Sequence, residues 1–117
     1  MKIETHILNG IRIAEVISDT IVISSAEDGL NLLGDLYYQD FDKIILYEKN
    51  ITADFFDLKT GIAGEILQKF SNYRVRLAII GTFENYQSKS FKDFMFESNK
   101  MKQINFVESL EEGLDKI

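Results

Sequence analysis

The sequence predicts an α/β domain, in which a β-hairpin is followed by alternating strands and helices (βαβαβα) around a four- or five-stranded, mainly parallel sheet. Three observations predict it. Alternating apolar residues flank an Asn-Gly pair near the start, short runs of consecutive apolar residues follow, and segments with helical spacing separate these runs. Right-handed connections place the successive strands of such βαβ units side by side. The 117 residues suit a single domain, 1–117.

The first elements are a hairpin and a helix. Apolar residues recur at every second position on both sides of Asn9-Gly10, a pair that favours the two positive φ angles of a type I′ turn. We expect Ser25 and Asp28 to form the capping pair of the first helix. Its apolar face is predicted to carry Ala26, Leu30, Leu33 and Tyr37.

The middle of the chain contains a strand that is predicted to be buried on both faces. Residues 44–47 are consecutive and apolar, which is typical of a central strand in a parallel sheet. After the segment 49–59, Thr60 is predicted to cap a helix that runs to Phe70. The inward face of this second helix is predicted to consist of Ile62, Ala63, Ile66, Leu67 and Phe70.

The last third of the chain completes the alternation. Residues 77–81 and 104–107 are predicted strands, and a third helix between them is predicted to begin at Ser88 or Ser90. Ser109 and Glu112 indicate the start of a final helix. That helix is predicted to pack through Leu110, Leu114 and Ile117.

Composition argues against several classes of function. The chain has no cysteine and a single histidine, His6, so thiol chemistry, zinc sites and Ser-His-Asp triads lack their usual parts. A net charge of −6 opposes binding to nucleic acid. No apolar run is long enough to cross a membrane, and residues 1–10 lack a signal-peptide core, so we expect a cytoplasmic location. We predict no catalytic residues, metal or cofactor.

Polar residues collect where the predicted strands end, and ligands of open α/β sheets bind at that edge. Cationic, amide and hydroxyl side chains, together with free backbone amides at Thr60 and Gly61, favour a small anionic ligand. In the alternative interpretation Thr60 only caps its helix, Asn50 makes a turn, and Lys49 is solvated. The predicted ligand-binding residues are Lys49, Asn50, Thr52, Lys59, Thr60, Gly61 and Thr82.

Four aromatic residues lie in segments with little periodicity: Phe55, Phe56, Phe83 and Tyr86. If they are surface neighbours, they form an apolar patch for a protein partner or for a homodimer. In the alternative interpretation, which we favour, they seal the core beneath a long loop.

The order of elements, with Thr60-Gly61 opening the helix after the central strand, resembles the STAS (SpoIIAA-like) fold of bacterial anti-sigma-factor antagonists. In that family a partner kinase phosphorylates a Ser or Thr that precedes glycine, so the resemblance implies a regulatory phosphorylation site at Thr60. Leu58 stands where that family has aspartate, and Asp57 lies one position earlier.

A second resemblance is to a bacterial family of domains of unknown function, DUF4180, through the tracts 47–52 (YEKNIT) and 55–61 (FFDLKTG). This resemblance implies no activity. Because the chain is acidic and lacks the cysteines and nearly all the histidines from which most small enzymes assemble a site, we expect a non-catalytic binding or regulatory module with a phosphorylatable Thr60. The alternative is a small-molecule binder or weak enzyme acting on an anionic ligand. A deep pocket at the carboxyl edge of the sheet would favour a ligand, and a flat aromatic patch would favour a protein partner.

Overall fold

The computed structural model describes residues 1–115, and within them one sheet contains five strands in the order β1-β2-β3-β4-β5. The strands are β1 (Lys2–Leu8), β2 (Ile11–Ile17), β3 (Lys43–Tyr47), β4 (Arg76–Ile80) and β5 (Ile104–Val107). β1 pairs with β2 in the antiparallel sense, and the other three neighbouring pairs are parallel. The sheet is therefore mixed. The antiparallel pair is the predicted hairpin, in which Asn9 and Gly10 have φ angles of 53° and 78°.

The same residues form four α-helices, in the predicted alternation with the strands. They are α1 (Ala26–Tyr38), α2 (Ile62–Tyr73), α3 (Lys89–Asn99) and α4 (Leu110–Asp115). Side chains of the first three pack in the larger core on one face of the sheet, whereas α4 packs on the other face beside a smaller core. Ile117, predicted to belong to the last helix, lies outside the described residues.

The central strand is confirmed. Ile44 and Ile45 of β3 are completely buried although they face opposite sides of the sheet, and Leu46 is buried as well. Tyr47 ends the strand and is half-buried. The edge at which Tyr47 lies is the carboxyl edge of the parallel strands.

The predicted inward face of α1 is wrong in detail. Ser25 caps the helix as expected, accepting a hydrogen bond from Asp28 N at 3.2 Å. However, the buried residues are Gly29, Leu32, Leu33 and Leu36. Of the predicted face, Leu33 is buried and Ala26 packs against the core, whereas Leu30 is half-buried and Tyr37 is exposed. A Cβ atom at Gly29 would lie 2.5 Å from Ile66 Cδ1, which shows how closely α1 and α2 approach. This approach turns the glycine face inward, and the spacing of apolar residues alone does not reveal it.

The second helix begins one residue later than predicted, although the Thr60 hydroxyl does accept a hydrogen bond from its first residue, Ile62, at 3.3 Å. Residues 48–60 form three 3₁₀ turns, Glu48–Asn50, Ala53–Phe56 and Leu58–Thr60. Gly61, with a φ of 78°, then occupies the N-cap position, and α2 begins at Ile62. The left-handed backbone at this position suits glycine because glycine has no Cβ. The predicted apolar face is otherwise confirmed, since it buries Ala63, Ile66, Leu67 and Phe70.

Candidate functional site

A cleft of about 600 Å³ opens at the carboxyl edge, above the ends of β3 and β4. Its volume lies within the range of sites that hold small molecules. The walls come from the β2–α1 loop, the 3₁₀ turns after β3 and the β4–α3 loop. This carboxyl-edge cleft is lined by Ile21, Tyr47, Glu48, Lys49, Ile51, Ala53, Ile80, Gly81, Asn85 and Tyr86.

Asn50 holds the first wall in place. Its side chain is 1% exposed, and Nδ2 donates hydrogen bonds to Ser18 O at 2.9 Å and Thr20 O at 2.8 Å. Its backbone carbonyl accepts from Val22 N at 2.7 Å and from Ile23 N at 3.1 Å. These four bonds tie the β2–α1 loop to the segment after β3, and they give Asn50 a structural role inside the wall.

Glu48 joins the ends of β3 and β4. Its Oε1 accepts a hydrogen bond from Phe83 N at 2.9 Å. Phe83 has a φ of 59°, a left-handed conformation that costs a residue with a side chain about 1–2 kcal/mol. A Cβ atom at Gly81 would lie 2.6 Å from Glu48 Cβ, so a residue with a side chain at position 81 would displace Glu48. Glu48 and Gly81 together define the wall that lies opposite the β2–α1 loop.

The predicted aromatic patch is not a surface. Phe55, Phe56 and Phe83 are 2%, 3% and 6% exposed, so they seal the core, as in the alternative interpretation. Tyr86 is half-buried, and its ring stacks on Phe56 with centroids 4.3 Å apart. Burial and then the charge of Glu48 raise the pKa of Tyr86. Tyr86 is therefore a neutral side chain in the lining of the cleft.

Of the residues predicted to bind a ligand, Lys49 lines the carboxyl-edge cleft. The structure places Thr52 at the start of a 3₁₀ turn, where its hydroxyl accepts from Asp54 N at 3.4 Å. Lys59 and Thr82 are exposed and do not line the cleft. The structure therefore does not bring these residues together with Lys49 in one site.

Thr60 and Gly61 are also separated from the cleft lining. Thr60 is exposed, and its Oγ1 lies in hydrogen-bond range of Asp54 O at 2.7 Å and Asp57 O at 2.9 Å, donating to these carbonyls. The backbone N–H of Thr60 donates to Asp57 O at 3.0 Å, and that of Gly61 to Leu58 O at 3.3 Å. The prediction of free amides for an anion is wrong, because the 3₁₀ turns use both of them.

The chain matches the family described as Domain of unknown function (DUF4180) over residues 8–117. The chain belongs to the DUF4180 family. This match confirms the second resemblance seen in the sequence. No curated protein and no solved structure matches the chain, so the resemblance of this DUF4180 domain to the STAS fold stays a prediction.

The DUF4180 domain also contains a hydrogen-bonded chain that sequence reasoning missed. Glu15 of β2 is 6% exposed, and its two oxygens contact His6 Nε2 at 2.9 Å and accept from the Tyr47 hydroxyl at 2.6 Å. The feature of the sequence that could have revealed this chain is Glu15 itself, an acidic residue inside a strand of mostly apolar residues. Its partners are 9 and 32 residues away, so neither was evident. Through Tyr47 this chain reaches the cleft lining.

No helix within residues 1–115 of this DUF4180 domain is both long and apolar enough to cross a membrane. No three or more His, Asp or Glu side chains in that range are grouped so as to hold a metal ion.

Alkaline titration tests the contact between Tyr47 and Glu15. Burial, followed by the hydrogen bond to Glu15 and its charge, raises the pKa of Tyr47 from 10.0 to about 12. Because the folded state keeps a proton that the unfolded state loses, this contribution to stability is present below pH 10 and is lost between pH 10 and about 12. We expect Tyr47→Phe to lower the free energy of unfolding at pH 7 by about 1–3 kcal/mol, because it leaves Glu15 short of a donor.

Urea unfolding of the wild type and the variant from pH 7 to 12 measures both effects. Tyr38→Phe is the matched control, because Tyr38 is 84% exposed. The Tyr47→Phe variant should lose less stability than the wild type above pH 10. An equal loss in the two proteins would contradict the assignment.

Proposed function

We propose that this DUF4180 domain is a non-catalytic binding module whose ligand is a small organic anion, held in the carboxyl-edge cleft. The observation that carries the proposal is the combination, in one cleft of about 600 Å³, of Lys49 with mainly apolar and aromatic walls. A cleft at this edge, together with buried phenylalanines in place of a flat aromatic patch, supports a ligand over a protein partner.

The charges of the lining support an anion. Lys49 is the cation among the described residues that line the cleft. The acid beside it, Glu48, directs Oε1 at Phe83 N, so part of its charge is already compensated by a backbone donor. An anionic group of a ligand can therefore form an ion pair with Lys49 while Glu48 keeps its hydrogen bond to Phe83 N.

The apolar lining requires that the anion carry a hydrophobic body. An exposed ion pair contributes only about 0.2–1 kcal/mol, and Lys49 is exposed. Burying about 100 Å² of apolar ligand surface contributes roughly 2.5 kcal/mol. Ile21, Ile51, Ile80 and the Tyr47 and Tyr86 rings supply that contact. The expected ligand class is thus a carboxylate or phosphate with an aromatic or branched body.

A matched set of probes tests the proposal. Phenylacetate has both features, acetate lacks the body, and phenethylamine carries the opposite charge. We expect phenylacetate, added at millimolar concentration, to shift the NMR amide signals of Lys49, Gly81 and Tyr86, and acetate and phenethylamine to shift them much less. Lys49→Gln should weaken phenylacetate binding by about 2- to 5-fold, because an exposed ion pair contributes only about 0.2–1 kcal/mol to the binding free energy.

Lys59→Gln is the control, because Lys59 is an equally charged, exposed residue outside the cleft lining. It should leave phenylacetate binding unchanged. Preferential binding of phenethylamine, or equal losses in the two lysine variants, would overturn the proposal.

Phosphorylation of Thr60 is a second proposed function, and the exposure of its hydroxyl supports it. The single proton of the hydroxyl is shared between the carbonyls of Asp54 and Asp57, which lie 2.7 and 2.9 Å from Oγ1. A phosphate would remove this donor and bring close to two negative charges against those oxygens, so it would open the 3₁₀ turns that bury Phe55 and Phe56. Phosphorylation would in this way expose apolar surface to a regulatory partner.

Mass spectrometry after incubation with ATP and cellular kinases tests this second function. We expect a single phosphate on Thr60, and none on the Thr60→Ala variant. The exposed Thr82 serves as an internal control for non-selective modification. Phosphate on other residues, or on none, would contradict the proposal.

A further inference from the structure

The outer side of β1 is an open edge of the sheet. No other strand within residues 1–115 pairs with that side. β1 contributes seven residues that pair with β2 without interruption, and the chain contains no proline that would block the edge. Ile7, on this strand, is 62% exposed. Edges of this kind are templates for pairing with another strand, unless charge, proline or a bulge protects them. The two charged residues of β1, Lys2 and Glu4, form an ion pair with each other, so their opposite charges offset one another along the edge.

The hairpin turn determines which backbone groups of β1 point outward. The type I′ turn closes with a hydrogen bond between Leu8 and Ile11, the residues on either side of Asn9-Gly10. Hydrogen-bonded and non-hydrogen-bonded pairs alternate along an antiparallel ladder. The N–H and C=O groups of Ile3, Thr5 and Ile7 therefore point away from β2 and are available to a second strand.

We propose that two copies of this chain associate by antiparallel pairing of their β1 strands, with the two-fold axis at Thr5. In this register Thr5 lies opposite Thr5 of the partner subunit, and Ile3 lies opposite Ile7 of the partner subunit. All seven residues of β1 are then paired. The two five-stranded sheets become one continuous sheet of ten strands.

The side chains of β1 match this register on both faces. On the face that carries the larger core, Ile3 packs against the core, and the exposed Ile7 of the partner subunit would cover it. On the other face, Glu4 lies opposite His6 of the partner subunit. Nε2 of that histidine already donates to Glu15 of its own chain, so Nδ1 can donate to Glu4 when the imidazole carries both of its protons.

Other registers are worse. Outward-pointing groups can pair only with outward-pointing groups, so the partner strand can shift only in steps of two residues. A shift in one direction places Glu4 opposite Glu4 of the partner subunit, and a shift in the other places His6 opposite His6 of the partner subunit. The first shift brings two like charges into direct opposition, which is destabilising, and either shift also shortens the ladder and replaces the Ile3–Ile7 contact with a contact to Thr5. The sequence of β1 is thus self-complementary in one register.

This self-complementarity favours a second copy of the chain as the partner of β1. In a two-fold symmetric contact the same strand lies on both sides, so its sequence must be complementary to itself. A seven-residue strand pair is small beside a standard interface, so the association should be reversible and dependent on protein concentration. The dimer is independent of the ligand proposed for the cleft, and its tests use no ligand.

Single-cysteine variants test the register, because the chain has no cysteine of its own. In the proposed dimer the two Thr5 Cα atoms are about 5.5 Å apart, within the range that a disulfide spans. The two Ile7 Cα atoms are separated by four residue positions, roughly 13 Å. Under oxidation, Thr5→Cys should therefore form a covalent dimer at least about tenfold faster than Ile7→Cys or Phe96→Cys. Phe96 is an exposed control on α3.

Light scattering across a concentration series tests the association without a cross-link. The wild type should change from monomer to dimer with increasing concentration. Ile7→Lys should weaken this association at least about tenfold, because it places a charge against Ile3 of the partner subunit. Phe96→Lys, which changes an equally exposed side chain, should not weaken it. A wild type that stays monomeric, or equal cross-linking of the three cysteine variants, would overturn the proposal.

Discussion

The buried side-chain amide of Asn50 is the interaction on which the carboxyl-edge cleft depends. Two donors on Nδ2 hold the carbonyls of Ser18 and Thr20, which belong to a loop that the rest of the fold leaves at the surface. A buried donor or acceptor that loses its partner costs about 1–3 kcal/mol, so this contact is strongly favoured over its open form. Asparagine suits the position because aspartate would direct two acceptors and a charge at carbonyl oxygens.

The cleft follows from this tie and from a second one. Asn50 brings the β2–α1 loop to the end of β3, and Glu48 brings the β4–α3 loop to the same end through Phe83 N. Between these two ties lie Lys49 and Tyr47, which the sheet presents at its carboxyl edge. The buried aromatic cluster around Phe56 supports the wall from the β4–α3 loop through contacts with Phe83 and Tyr86. Four consecutive residues therefore do most to define the cleft: Glu48 and Asn50 fix its walls, and Tyr47 and Lys49 contribute to its lining.

How much the sequence predicted depends on how local each interaction is. The Asn9-Gly10 hairpin, the burial of residues 44–46 in the central strand and the apolar face of α2 were predicted correctly, because each is encoded by neighbouring residues. The buried face of α1 was not predicted correctly, because it is determined by the contact of Gly29 with Ile66, which lies 37 positions later in the chain. The contacts of Asn50 were missed for the same reason. Asn50 was predicted to bind a ligand, but its partners, Ser18 and Thr20, are 32 and 30 residues away.

Amide hydrogen exchange of Asn50→Asp tests most directly whether this side chain builds the cleft wall, with Asn85→Asp as a control on an exposed asparagine of the lining. Loss of the two donated bonds should release the β2–α1 loop. The amides of Val22 and Ile23 should then exchange at least about tenfold faster, which corresponds to about 1.4 kcal/mol, while those of Ile44 and Ile45 in β3 stay protected. Unchanged exchange at Val22 and Ile23 in the folded variant would contradict the account.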